Sequence, residues 1–312
     1  MVAVPVVGPV DLAGSLDVFR RSGDDLLDRW DGRVWLRAVA VADRMVGVAA
    51  RPAGTVADPV LLVTAETGTD AVAAGRVLAG AFPTAPEALA EPAAADPVVA
   101  RIADRVPGVG PVLQPDLLTA VVRSISAQQI TLRFAAVLRG RLARRYGRRH
   151  QVPDPADGEV WSLDPERLAG AEVADLRELQ FSTSKAVAVV AFAGAVASGQ
   201  IDLEELAALE DEVVVERLVA FPGIGRWTAE WLLARTLGRP RVVAGDLGVR
   251  KAVAAAYLDG RMPSEAEVRA ITAHWGAAAG VAQQLLLHWL STEAPATSRR
   301  SATRPGRSSR PG

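Results

Sequence analysis

Alternating apolar and polar positions dominate the first 92 residues. The stretch VWLRAVAVADRMVGVAA from Val34 alternates with a period of two and breaks at Asp43 and Arg44. That pattern predicts two antiparallel strands joined by a tight turn. Further strands are predicted at the apolar start MVAVPVVGPV and in VLLVTA from Val60, and helices over Asp11–Arg21 and Asp70–Ala81. We therefore expect a small α/β domain with an antiparallel sheet over residues 1–92 and a proline-rich connector at residues 83–97.

Beyond residue 93 the strand signal almost disappears and apolar residues recur with helical spacing. Several segments open with a capping Asp, Ser or Thr. The predicted helices are Pro97–Arg105, Asp116–Arg145, Asp164–Glu172, Asp175–Leu179, Thr183–Gly199, Leu203–Leu209, Glu210–Ala220, Arg226–Leu237, Leu247–Leu258, Ser264–His274 and Ala278–Ser291. We expect an all-α core over residues 93–292, with one lobe over 116–244 and a second over 93–115 plus 245–292. Residues 293–312 are rich in Ser, Pro and Arg and predict a disordered Arg-rich tail.

Composition narrows the possible chemistry. The 312 residues are 50% hydrophobic and 23% charged, with a net charge of −1, which is typical of a globular protein and excludes disorder for most of the chain. The absence of cysteine excludes disulfides, cysteine nucleophiles and thiolate-held iron–sulfur clusters. The uncharged run Ala186–Ile201 is too short for a bilayer span, so we expect a cytoplasmic protein without a membrane partner.

A glycine-containing turn between two predicted helices is the main candidate for ligand binding. In LVAFPGIGRWTAEW, from Leu218 to Trp231, one helix ends at Ala220 and another begins near Arg226. Gly223 and Gly225 allow a backbone conformation that leaves amide groups at a helix start free to bind an anion such as phosphate. An ordinary turn between helices is the alternative, and Pro-Gly-x-Gly alone does not distinguish the two.

Together these motifs resemble the helix-hairpin-helix (HhH-GPD) superfamily of DNA glycosylases, and within it the DNA-3-methyladenine glycosylase II (AlkA-type) branch. The hairpin is followed by VVAGDLGVRKAV, which places Asp246 21 residues after Gly225. Upstream, the segment from Asp96 that contains Gln128 and Gln129 is similar to the branch's Gln-Gln helix. The resemblance covers residues 95–292, and it implies a TATA-binding-protein-like sheet before the helical core, hence an α+β fold.

Asp246 has two interpretations. Because Asp is a leading N-cap residue, the residue could simply cap the helix predicted from Leu247. The resemblance instead implies that Asp246 is the catalytic carboxylate, and capping and catalysis are compatible because a carboxylate at a helix start is held ionised and oriented. Cleavage of an N-glycosidic bond passes through an oxocarbenium-like transition state, which an adjacent carboxylate stabilises.

Aromatic residues near the hairpin are the candidate base pocket. Trp227 and Trp231 are four residues apart and share a helix face, where they could stack on an extruded base; two core tryptophans are the alternative. Trp275 and Gln128 are further pocket candidates. The resemblance places Trp227 where bifunctional relatives have a Schiff-base lysine, so we expect a monofunctional enzyme without lyase activity. Both lysines, Lys185 and Lys251, are interpreted as surface charges.

The resemblance also implies how DNA and ions bind. Gly223, Gly225, Arg226 and Thr228 would contact the DNA backbone, and the carbonyl groups of Val219, Phe221 and Ile224 could hold a Na⁺ or K⁺ ion; no other cofactor is expected. The expected partner is double-stranded DNA with damaged, alkylated bases, and the protein is expected to be a monomer.

Two pairs of residues differ from those of the branch. Ser126 and Ala127 replace a bulky residue before Gln-Gln that wedges into the DNA, a role that Gln128 could fill. Ala278 and Ala279 replace a Trp-Arg pair. These departures favour an alternative, a non-catalytic helix-hairpin-helix DNA-binding protein, whereas Asp246 at its expected spacing favours a glycosylase.

Overall fold

The computed structural model describes residues 1–84, 86–153 and 158–293. The predicted tail at 293–312 lies outside the described residues, except for Glu293. No helix in the described ranges is both long enough and apolar enough to cross a membrane.

The N-terminal part is a five-stranded sheet with two helices. Its strand order is β1-β5-β4-β3-β2, and every neighbouring pair is antiparallel. The predicted hairpin is present, with Val41 paired to Arg44 around a two-residue turn. Trp35 is fully buried on this sheet and stacks on Phe19 of α1 at a ring distance of 6.1 Å. The elements are β1 (Val2–Pro5), α1 (Leu12–Ser22), β2 (Asp28–Trp30), β3 (Trp35–Val41), β4 (Arg44–Gly54), β5 (Pro59–Thr64) and α2 (Gly68–Gly80).

The rest of the chain is mostly helical, which confirms the α+β prediction. The helices are α3 (Pro86–Ala95), α4 (Pro97–Arg105), α5 (Leu117–Ala127), α6 (Leu132–Tyr146), α7 (Pro165–Ala169), α8 (Val173–Glu178), α9 (Thr183–Ala197), α10 (Leu203–Ala207), α11 (Asp211–Val219), α12 (Arg226–Arg235), α13 (Leu247–Tyr257), α14 (Glu265–Thr272) and α15 (Ala279–Thr292), with a 3₁₀ segment at Ala273–Ala278.

Three predictions for this region are wrong in detail. The connector at 83–97 contains helix α3, which packs on α4 and the 3₁₀ segment. The helix predicted over Asp116–Arg145 is two helices, because the chain turns at Gln128 and Thr131 caps the new helix by accepting from the Phe134 amide at 3.3 Å. The core is also not all helical.

A second antiparallel sheet lies within the helical part. It consists of β6 (Gly147–Val152) and β7 (Gly158–Leu163). Val152 and Val160 of this hairpin are buried against Val34, Leu36 and Ala49 of the N-terminal sheet. The β6–β7 hairpin therefore packs the helical part against the face of the five-stranded sheet that carries Leu36 and Ala49.

Two separate apolar cores organise the helices. One is formed by residues of α5 to α12, and the other by α4 with α13, α14 and α15. Asp96 ties the second core together: it caps α4, and its Oδ2 accepts from the Tyr257 hydroxyl at 2.7 Å and pairs with His274 Nε2 at 2.9 Å. The domain and lobe boundaries near residues 92, 115 and 244 stay a prediction.

A buried cluster of ion pairs joins the N-terminal sheet to α5 and α6. Arg123 Nη1 lies 2.7 Å from Asp25 Oδ2, and its Nη2 lies 2.8 Å from Asp28 Oδ2. Arg139 of α6 reaches the same Asp25 oxygen at 2.8 Å, and Arg37 of β3 reaches Asp28 at 3.1 Å. Burial opposes the ionised form of Asp25, but Arg123 and Arg139 outweigh it and lower the pKa of that carboxyl.

We expect Asp25→Ala to reduce the free energy of unfolding by about 3–5 kcal/mol, because it leaves Arg123 and Arg139 buried without their shared carboxylate. The matched control is Asp24→Ala, whose carboxylate is half exposed and pairs with Arg29, so its loss is expected to cost less than about 1 kcal/mol. Urea unfolding of the three proteins measures both values. Equal effects of the two substitutions would contradict the importance given to this cluster.

Candidate active site

The hairpin between α11 and α12 is formed by residues 220–225. Gly223 has φ of +75°, and a Cβ atom added there would lie 2.6 Å from Ala188 Cβ of α9, so glycine is required for both conformation and space. Gly225 caps α12 without a side-chain bond. The first bond within the helix runs from the Ala229 amide to the Gly225 carbonyl, so the preceding amides have no helical partner and remain available to an anion.

One face of α12 carries two tryptophans and an arginine. Trp227, Trp231 and Arg235 follow each other at intervals of four residues and are all partly buried. Residues at that spacing lie on one face of a helix. The predicted Trp227–Trp231 face therefore continues into a cationic group at the end of α12.

Asp246 is the N-cap of α13, and its position confirms the capping interpretation without excluding chemistry. Its Oδ1 accepts from the Val249 amide at 3.0 Å, which leaves Oδ2 without that bond. The preceding residue, Gly245, lies against the indole of Trp227, since a Cβ atom there would be 3.3 Å from Trp227 Cδ1. A Cβ atom at Gly248 would lie 2.9 Å from Asp246 Oδ1, so glycine at this position leaves room for the carboxylate.

Arg235 is a charged residue of the site that sequence reasoning missed. Its Nη2 donates to Gln284 Oε1 of α15 at 2.8 Å. Burial lowers the pKa of Arg235 to about 10, an effect that the charge of Asp246 partly opposes. Asp246 thus lies within electrostatic range of this partly buried guanidinium, in addition to the N-terminus of α13.

The turn between α5 and α6 reaches the hairpin. Gln128 Nε2 is 3.4 Å from both the Gly223 carbonyl and the Thr228 hydroxyl, so this side chain points to the hairpin rather than outward as a wedge. The next residue, Gln129, is exposed and has φ of +58°. Gln129 is therefore at the tip of the turn, where a residue inserted into DNA would have to be, and Ser126 is buried.

Three predicted contact residues lie elsewhere than expected. Thr228 is 1% exposed and its hydroxyl contacts Ser124 and Gln128, so its side chain is occupied within the protein and its contact with the DNA backbone stays a prediction. Arg226 is exposed but pairs with Glu212 at 3.0 Å and with Glu230 at 3.3 Å. Trp275 is 1% exposed inside the second helical core and offers no face to a base.

Lys185 is also placed differently from the sequence interpretation. It is half buried, and its Nζ donates to the carbonyl oxygens of Ser126 at 3.0 Å and Gln128 at 2.6 Å. The surface-charge interpretation is therefore wrong for Lys185. No sequence signal identified this contact, because it joins α9 to the end of α5.

The ion site expected at Val219, Phe221 and Ile224 stays a prediction. The Phe221 carbonyl already accepts from the Ile224 amide at 3.2 Å, which leaves its second lone pair for an ion. Among the described residues, no group of three or more His, Asp or Glu side chains is arranged to hold a metal ion.

Comparison with known proteins agrees with this geometry. The model of the HhH-GPD superfamily base excision DNA repair proteins matches residues 122–277, half of the chain, including the hairpin and Asp246. The chain belongs to this superfamily. The match begins in α5 and ends in the 3₁₀ segment, so it spans the Gln128 turn and both tryptophans of the α12 face.

Individual relatives include a protein named as a DNA glycosylase. A Bacillus subtilis protein named DNA-3-methyladenine glycosylase is 27% identical over 187 residues, covering 59% of this chain. The chain spans 55% and 61% of the length of two Bacillus subtilis relatives. The structure of a 3-methyladenine DNA-glycosylase from Archaeoglobus fulgidus superposes with a TM-score of 0.78 at 26% identity, covering 92% of this chain and 96% of the other.

A Clostridium acetobutylicum 8-oxoguanine glycosylase/lyase in complex with DNA has the same fold. Its TM-score is 0.68 at 17% identity, covering 91% of this chain and 92% of that one. The fold is therefore shared with a protein described as a lyase, and only the site residues can separate the two chemistries.

We expect Gly223→Ala to lower the free energy of unfolding by about 1–3 kcal/mol, because the new methyl group meets Ala188 and φ is positive. Gly225→Ser is the matched control: no heavy atom lies within 4 Å of an added Cβ, and Ser is favoured at the N-cap, so the change should stay within about 0.5 kcal/mol. Chemical unfolding of both variants gives the comparison. An unchanged free energy of unfolding for Gly223→Ala would mean that the hairpin is not held against α9.

Proposed function

We propose that this protein is a monofunctional DNA glycosylase that releases alkylated bases of the 3-methyladenine and 7-methylguanine type from double-stranded DNA in base excision repair. The observation that carries the proposal is the position of Asp246, held at the start of α13 with its chain neighbour against Trp227. Relatives named as 3-methyladenine glycosylases support the same assignment.

The reaction would use the residues as follows. The amide groups at the start of α12 and the hairpin at Gly223 and Gly225 bind a backbone phosphate, independently of base sequence. The damaged nucleotide leaves the stack, and its base lies on Trp227 and Trp231. A cationic, electron-poor base gains from such aromatic contact.

Bond cleavage would then depend on the Asp246 carboxylate. One oxygen stays bound to the Val249 amide and fixes the orientation of the group, while the other stabilises the positive charge that develops on the sugar and directs an attacking water. An alkylated base that already carries a positive charge leaves without protonation. The chain therefore needs no general acid beside the base.

The absence of a lyase step is part of the proposal. Trp227 cannot form a Schiff base, and the Lys185 ammonium is bound to two carbonyl groups at the end of α5. The product would be an intact strand with an abasic sugar. We propose that the protein acts as a monomer on DNA in the cytoplasm.

We expect Asp246→Asn to reduce base release from methylated duplex DNA by at least about 100-fold, because the transition state loses its negative partner. Asn still caps a helix, so folding and DNA binding should persist. The matched control is Asp202→Asn, which alters the same kind of cap on α10 and should retain full activity. Chromatography of released bases and strand breaks before and after alkali are the measurements.

Each outcome of this experiment has a clear meaning. Release by the wild type alone, with breaks only after alkali, supports a monofunctional glycosylase. Breaks before alkali would overturn the absence of a lyase step. No release of any base, with salt-sensitive DNA binding, would overturn the enzymatic assignment in favour of a non-catalytic DNA-binding protein.

A further inference from the structure

The first turn of α9 lies between the two loops that the proposed function brings to DNA. On one side, Ala188 packs against Gly223 of the hairpin. On the other, Lys185 donates to the Ser126 and Gln128 carbonyl oxygens at the end of α5. Lys185 and Ala188, one helical turn apart in α9, therefore contact both loops.

The position of Lys185 is electrostatically unfavourable within its own helix and is stabilised by the end of α5. A cation in the first turn of its own helix faces the positive end of the α9 dipole. Burial also lowers the pKa of this lysine. The compensation is the C-terminal end of α5, where unpaired carbonyl groups favour a cation. Lys185 is thus a C-cap supplied by one helix to another.

The contacts of Lys185 fix the turn that follows α5. Lys185 fixes the carbonyl of Gln128, and the Gln128 side chain bonds to the Gly223 carbonyl. Gln129, the exposed residue at positive φ, is attached directly to this fixed point. These two hydrogen bonds, together with the peptide bond between Gln128 and Gln129, therefore set the distance between Gln129 and the phosphate-binding hairpin.

We propose that Lys185 is a positioning residue that holds Gln129 where it fills the gap left by the extruded base, so that base flipping and hairpin binding occur in one geometry. This inference rests on the proposed function. Lys185 does not touch the base or the sugar, and its effect passes through Gln129.

The test measures two quantities: the single-turnover rate of base release, and the base flipping that accompanies insertion of Gln129 into the DNA. Duplex DNA carrying 7-methylguanine beside 2-aminopurine reports both, because 2-aminopurine brightens when its neighbour leaves the stack. We expect Lys185→Met to slow base release by at least about 10-fold and to remove most of the fluorescence rise, since displacement of about 1 Å costs this much or more. Lys185→Arg, which keeps a donor and a charge, should recover most of both signals.

A double-mutant cycle separates positioning from general destabilisation. Gln129→Ala alone should slow base release, and adding Lys185→Met to it should cost less than about twofold more, because both changes remove the same interaction. Multiplicative effects would overturn the proposal, as would a rate for Lys185→Met within about twofold of the wild type. If Lys185→Met does not fold, Lys185→Gln replaces it in the cycle under the same criteria.

Failure of the proposed function is distinguishable from failure of this inference. If the wild type releases no base, the same variants are compared on duplex DNA in which 2-aminopurine lies beside a 7-methylguanine whose sugar carries a 2′-fluorine, which resists cleavage of the glycosidic bond, so that base flipping is measured without chemistry. A fluorescence rise that depends on Lys185 and Gln129 together supports the positioning role. A rise that is unchanged in Lys185→Met refutes it.

Discussion

The buried ion pairs between Asp25, Asp28 and their three arginines constrain the whole molecule. Removing each charge from water costs several kcal/mol, and only close pairing recovers that energy. The five groups come from β2 and its preceding loop, β3, α5 and α6, so these elements can meet in one arrangement only. Because Arg139 also donates to Ser126 at 3.0 Å, this arrangement fixes the end of α5, from which the Gln128 turn departs.

The candidate site is built from helix ends rather than from helix faces alone. The end of α5 and the starts of α9 and α12 meet around the hairpin. The start of α13 lies against α12 through Gly245 and Trp227. Helix starts provide amide groups and a positive potential, which suit phosphates and carboxylate groups. The α12 face adds aromatic surface. Electrostatic and stacking functions therefore come from different parts of neighbouring helices.

Local signals explain what could be predicted from the sequence. The hairpin at Gly223, the helix from Arg226 and the Asp246 cap follow from residues within a few positions of one another. The strands β6 and β7 were missed because RRHQV is polar, and Val152 and Val160 are the buried apolar residues through which the two strands pack on the first sheet. Helix α3 was missed because it contains Pro92. Lys185 was misread because its burial depends on α5, 57 residues away at Gln128.

The hydrogen bonds of Asp96 affect when the second helical core can form during synthesis of the chain. This residue bonds to Tyr257 and His274, which leave the ribosome 161 and 178 residues later, so the second helical core cannot close until nearly the whole described chain has been synthesised. The hairpin and its partner helices α5 and α9 precede that point. A chain truncated before α15 would contain the hairpin that is proposed to bind phosphate, but Asp246 would lack the complete core that holds α13 in place.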